Sequence, residues 1–156
     1  MLMTNLNKIG GLSRDDRRLL FQSVLLLPVI HFALLLLGYY RLRGVMEKLI
    51  PLKPIYTPLS ETEILQRARE IVRIVAIAAG HGFFQATCLR RSLLVWWFLR
   101  RQGIQSRICF GVRMIDRQLE AHAWVEYNTI VVNDAMDVHK YYRPLNDVLP
   151  ATKLGL

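Results

Sequence analysis

Apolar residues fill the early part of the chain almost without a break, then recur at helical spacing, and finally alternate with polar ones. From Leu19 to Tyr40 no Asp, Glu, Lys or Arg occurs, a run as long as the ~20 residues a bilayer-spanning helix needs. Pro28 and His31 interrupt the run near its middle. Arg14, Arg17 and Arg18 precede it and Arg41, Arg43 and Lys48 follow it, so the positive-inside rule assigns no orientation. Leu34 to Tyr40 offers no small-residue cleavage site, which argues against a signal peptide. Periodicity does not separate a core helix from a spanning one at this length. A kinked, packed helical pair is the reading preferred here over a membrane helix.

Pro51, Pro54 and Pro58 then break any continuous helix, because each ring removes a backbone donor and restricts the residue before it. This stretch reads as a hinge. Ser60-Glu61-Thr62-Glu63 matches a capping box, and Ile64, Ala68, Ile71, Val72, Val75 and Ala79 follow at helical spacing up to Gly80. A second helix is expected from Cys88 to Gln102, with Arg100 and Arg101 in its last turn and Gly103 as its stop. Beyond it the period falls to two. Ile108, Phe110, Val112 and Met114 alternate with Arg107, Cys109, Gly111 and Arg113, and Ala121, Ala123 and Val125 with His122, Trp124 and Glu126. Thr129 to Asp134 supplies a third strand. Helices followed by an antiparallel meander give an α+β class, divided into a hydrophobic helical region with its hinge over residues 1–58 and a second domain over 59–156.

The totals alter this picture only slightly. A chain of 156 residues buries one sizeable core, and 53% hydrophobic against 21% charged residues excludes intrinsic disorder. A formal charge of +9 permits nucleic acid, an anionic membrane or an acidic peptide as partner. No recognised nucleic-acid module supports the first of these. Cys88 and Cys109 are too few for a disulfide scaffold and lack zinc-site spacing, which points to a reducing cytoplasm. There is no Gly-rich phosphate loop, no internal repeat and no metal motif, so neither cofactor nor metal is expected.

Candidate chemistry gathers in the second half: a cysteine where a helix begins, a histidine within a strand, and an Asn-Asp pair on the next strand. Unpaired amides and the macrodipole at a helix N-terminus favour a thiolate, and an imidazole with a polar group behind it serves as base. Cys88 and His122 fill the first two roles. A two-residue loop Tyr127-Asn128 sets His122 opposite Asn133, whereas a three-residue loop ending at Thr129 sets it opposite Asp134. Both remain open from pattern alone, since papain-like sites accept an amide and transglutaminase-like sites a carboxylate. Cys109, His31, His81 and His139 have no ligand-like partners and read as structural, Trp96 and Trp97 as core, and Arg90, Arg91, Arg100 and Arg101 as a solvated rim.

Taken as a block, Cys88-Leu89-Arg90-Arg91-Ser92, then Phe110-Gly111-Val112-Arg113, then Ala121-His122-Ala123-Trp124-Val125-Glu126 resembles the leader peptidases of lasso-peptide biosynthesis. These carry a transglutaminase-like, papain-related cysteine peptidase domain, and the likeness covers roughly residues 60 to 140. It implies a catalytic helix packed on an antiparallel sheet, with Cys88 as nucleophile, His122 as base and Asp134 as orienting carboxylate, and it selects the three-residue loop. By analogy with papain-like enzymes Gln85 is a candidate oxyanion-hole donor, and Arg91 and Ser92 tie the helix to the sheet. The implied reaction removes the leader from a ribosomally made precursor. The implied partners are a separate recognition-element protein and an ATP-dependent lasso cyclase. In that setting the uncharged run packs against the peptidase core or the recognition partner, in preference to lipid. Two rivals stand beside this reading: an acyltransferase of the same fold, and a non-catalytic membrane-associated interaction protein.

Overall fold

The computed structural model describes residues 13–51, 60–81 and 86–145. Pro54, Pro58 and the oxyanion candidate Gln85 therefore lie outside the described residues. Helix α1 (Arg14–Lys48) opens on a capping box in which the Ser13 hydroxyl accepts from the Asp16 amide at 3.0 Å. It runs straight through Pro28. Its break lies at Gly38 instead, where φ is 74° and ψ 173°, a conformation that glycine adopts without a Cβ penalty. Helix α2 (Glu61–His81) starts at the expected cap, with the Ser60 amide donating to Glu63 Oε2 at 2.8 Å. Helix α3 (Cys88–Arg101) ends where Gly103, at φ 79°, donates to the Arg100 carbonyl and Ile104 to that of Leu99.

All eight residues from Ser92 to Leu99 are buried, so α3 is enclosed on every side. Leu19, Leu27 and Ile30 of α1 join Ile71 and Ile74 of α2 and Leu93, Trp96 and Leu99 of α3 in one apolar cluster. The Trp97 indole donates to the Met46 carbonyl at 3.1 Å and fastens the end of α1 to α3. Each fully buried large side chain contributes about 1.5–3 kcal/mol, so the start of α3 is carried by one of the best-anchored elements of the fold.

Strands β1 (Arg107–Ile115) and β2 (Gln118–Tyr127) form a hairpin, followed by β3 (Ile130–Val131), helix α4 (Val138–Tyr141) and β4 (Arg143–Pro144). The sheet order is β3-β2-β1-β4, and the class is α+β as expected. The last strand pairs with the far side of β1, so the sheet is not a simple meander, and α4 and β4 had no signal in the periodicity. One face of β2 presents Val125 and Tyr127 to the helical core, and the other presents Trp124 to Val131, Val138 and Tyr142.

Two expectations about the third strand are corrected. It comprises only Ile130 and Val131 instead of Thr129 to Asp134. Its register pairs Tyr127 with Ile130 and Glu126 with Val131, so the loop is Asn128-Thr129 and neither of the two expected loops. Both loop residues have positive φ, 45° and 68°, the geometry of a two-residue turn whose twist suits a hairpin. Thr129 occupies this region against the steric preference of a β-branched residue. Thr129→Gly is therefore expected to stabilise the fold by about 1 kcal/mol, and a lowered urea midpoint would contradict the turn assignment.

Candidate active site

Cys88 is the first residue of α3, following Thr87 in extended conformation. The first-turn amides of a helix have no intrahelical acceptor and face whatever lies before it; this turn carries no acidic side chain to compete for them. The half-buried cysteine opens into a cleft shared with Arg91 and Val95 of α3, Val72 and Val75 of α2, Ala123 of β2, and Asn133 and Asp134 after β3. Its lining is mainly aliphatic, with Cys88, Arg91, Asn133 and Asp134 as its polar members.

His122 Nε2 lies 2.6 Å from Asp134 Oδ2. An ionised carboxylate only accepts, so it selects the tautomer with the proton on Nε2 and leaves Nδ1 as the basic nitrogen. The other carboxylate oxygen, Oδ1, accepts the Ala135 amide at 2.8 Å. Strand register does not deliver this contact. The ladder ends after the Val132 amide reaches the Val125 carbonyl at 3.0 Å, and the Asn133 side chain then takes the place of the next main-chain acceptor. Asn133 Oδ1 accepts the Val125 amide at 2.7 Å, and its Nδ2 donates to Ser92 Oγ at 2.9 Å. Ser92, fully buried, donates in turn to the Ala123 carbonyl at 3.0 Å. This clamp joins α3, β2 and the segment carrying Asp134. Of the two residues left open by pattern, Asn133 holds the backbone and Asp134 holds the histidine.

Aromatic rings neighbour His122. Tyr142 stacks on the imidazole at a centroid distance of 4.7 Å, and Arg113 lies over the tyrosine ring at 4.5 Å. Gly111 makes this possible: a Cβ there would stand 2.8 Å from Tyr142 Cβ and 2.9 Å from the Trp124 ring. Tyr142 lies beyond the motifs that mark Cys88 and His122, and nothing in the periodicity identifies it as a neighbour of the histidine.

Next along β2, Glu126 is buried to 2% exposure yet charged. Its Oε2 accepts from Arg107 at 2.8 and 3.0 Å, and its Oε1 accepts from the Trp124 indole at 2.7 Å with His139 Nε2 3.0 Å away. Burial alone would raise its pKa, but the hydrogen bonds from Trp124 and Arg107 outweigh that and hold the carboxyl below its usual range. A depressed carboxylate contributes stability that is present above its unfolded pKa, about 4.3, and lost as pH falls through the folded value. Glu126→Gln is expected to cost about 2 kcal/mol at neutral pH, with the gap to the wild type narrowing in acid. Thermal melts across pH check this, and a gap independent of pH would contradict it. The same carboxylate, together with burial, pushes the Cys109 thiol up to about 12, burial being the larger cause. That agrees with its reading as structural. Among the described residues no group of three or more His, Cys, Asp and Glu is arranged to hold a metal ion.

Residues 27–147 match the family model described as the transglutaminase-like superfamily. No curated protein and no solved structure gives a match. The matched stretch begins within α1 and takes in Cys88, His122 and Asp134. Covering well over half of the sequence, this match means that the chain belongs to the transglutaminase-like superfamily.

Proposed function

We propose that this chain is a cytoplasmic cysteine peptidase that removes the leader from a lasso-peptide precursor, acting through Cys88, His122 and Asp134. The observation that carries the reading is the 2.6 Å contact between His122 and Asp134, with Asp134 lining the same cleft as Cys88. Superfamily membership supports a thiol-dependent acyl transfer. The block of motifs around Cys88 and His122 supports the narrower substrate assignment.

In the proposed mechanism His122 Nδ1 takes the Cys88 proton while Asp134 keeps the opposite nitrogen protonated and stabilises the imidazolium. The Cys88 sulfur attacks the carbonyl joining leader to core. Amides of the first turn of α3 stabilise the developing oxyanion, with Gln85 as a second donor. His122 returns the proton to the leaving amine, and water cleaves the thioester to release the leader. The freed amine is the nucleophile that an ATP-dependent cyclase then joins to an acidic side chain, and a separate recognition-element protein presents the leader.

The acyltransferase reading shares every step up to the thioester, and superfamily membership is compatible with it. Incubating the full chain with a lasso precursor and a recognition-element protein, followed by mass spectrometry, separates the two. Two fragments that sum to the precursor plus one water are expected. A free core beside a leader fragment that carries the amine in place of the added water would establish the transferase instead.

A further inference from the structure

The outer face of α1 is the largest feature that the proposed chemistry leaves unused. Leu19, Ser23, Leu27 and Ile30 turn inward, and Arg14, Arg18, Phe21, Leu25, Val29, Phe32 and Leu36 follow one another at spacings of three and four on the opposite, exposed face. Phe21 is 65% and Leu36 81% exposed. Every exposed residue of α1 between Leu19 and Leu37 is apolar, and charges enter only towards the ends, as Arg14, Asp15, Asp16, Arg17 and Arg18 before and Arg41, Arg43, Glu47 and Lys48 after, a net positive set at either end.

We infer that this face docks on an anionic membrane surface, with α1 lying in the plane of the interface. A face built for a protein partner or a second copy carries a polar rim along its flanks. Here every fully exposed position is apolar for five turns, with only the half-buried Gln22 and His31 at its flanks, and the two ends are net positive, the charge complement of lipid phosphates. The helix does not span, because its inner face is committed to α2 and α3, and α2 exposes Arg69 and Arg73, which a bilayer core excludes. The +9 charge of the chain adds to the attraction.

Flotation of the full chain with vesicles tests this, using phosphatidylcholine alone and phosphatidylcholine mixed with anionic phosphatidylglycerol. The wild type is expected to float with the anionic vesicles. The double variant Phe21→Glu, Leu36→Glu is expected to stay in the aqueous fraction, while Leu119→Glu, an exposed change on the sheet, keeps binding. Arg14→Gln with Arg18→Gln is expected to weaken anionic binding by about fivefold per arginine. Circular dichroism melts verify that each variant is folded. A wild type that stays in the aqueous fraction overturns the inference. So does a chain that is dimeric without vesicles and that Phe21→Glu, Leu36→Glu renders monomeric, which would assign the face to a second copy. Precursor cleavage in solution, without vesicles, is unaffected by either result.

Discussion

Cys88→Ala is expected to lower the rate of leader removal by about 10⁴-fold or more, with the melting temperature little changed. The size follows from what is deleted. Without the sulfur no thioester forms, and the clamp, the cleft and the His122–Asp134 pair have only a bulk water to act on. Cys88 is half-buried and lines a cleft, so losing its sulfur leaves no large internal void, and stability is spared. This separation matters for the rival reading as a non-catalytic interaction protein. Undiminished cleavage by folded Cys88→Ala would remove Cys88 from the chemistry altogether.

Asp134→Asn is expected to be nearly as damaging, lowering the rate by about 10³–10⁴-fold even though an amide serves papain-like sites in the same place. The reason lies in the two bonds of this carboxylate. Oδ1 accepts the Ala135 amide and Oδ2 faces His122 Nε2. An asparagine that keeps its oxygen on Ala135 turns its NH₂ toward the histidine. The imidazole must then accept at Nε2 and carry its proton on Nδ1, the tautomer that is unable to take a proton from the thiol. The opposite amide orientation orphans the Ala135 donor. Asp134→Ala gives the reference loss. Near-normal activity in Asp134→Asn would mean that the histidine is oriented by something other than this carboxylate.

The main elements that position this site are legible in the sequence alone. The capping box at Ser60, the stop at Gly103 and the switch from helical to alternating period after α3 are local signals with local causes, and each element they mark is present. The third strand was not legible in the same way. Its register depends on whether Thr129 enters the left-handed region, which its β-branched side chain disfavours, and its early end depends on the Asn133 amide replacing a backbone acceptor. Asp134 nevertheless meets His122, although both expected loops were wrong, because the clamp through Ser92 sets the turn. The break in α1 similarly followed backbone freedom at Gly38 and not the missing donor at Pro28. Tyr142 and Glu126 show the remaining gap. A ring stacked from another element and a charge held inside a sheet are tertiary facts, with no periodicity to announce them.

The central claim is that Cys88 is a nucleophile activated by His122 and Asp134, and it can be tested without knowing the substrate. Brief treatment of the folded chain with iodoacetamide at neutral pH, followed by peptide mass mapping, reads both cysteines at once. The account predicts an adduct on Cys88 and none on Cys109, whose thiol is held at about 12, with the Cys88 rate falling at least about tenfold in His122→Ala. Labelling of Cys109 at the same rate as Cys88, or a Cys88 rate unchanged by His122→Ala, would contradict it.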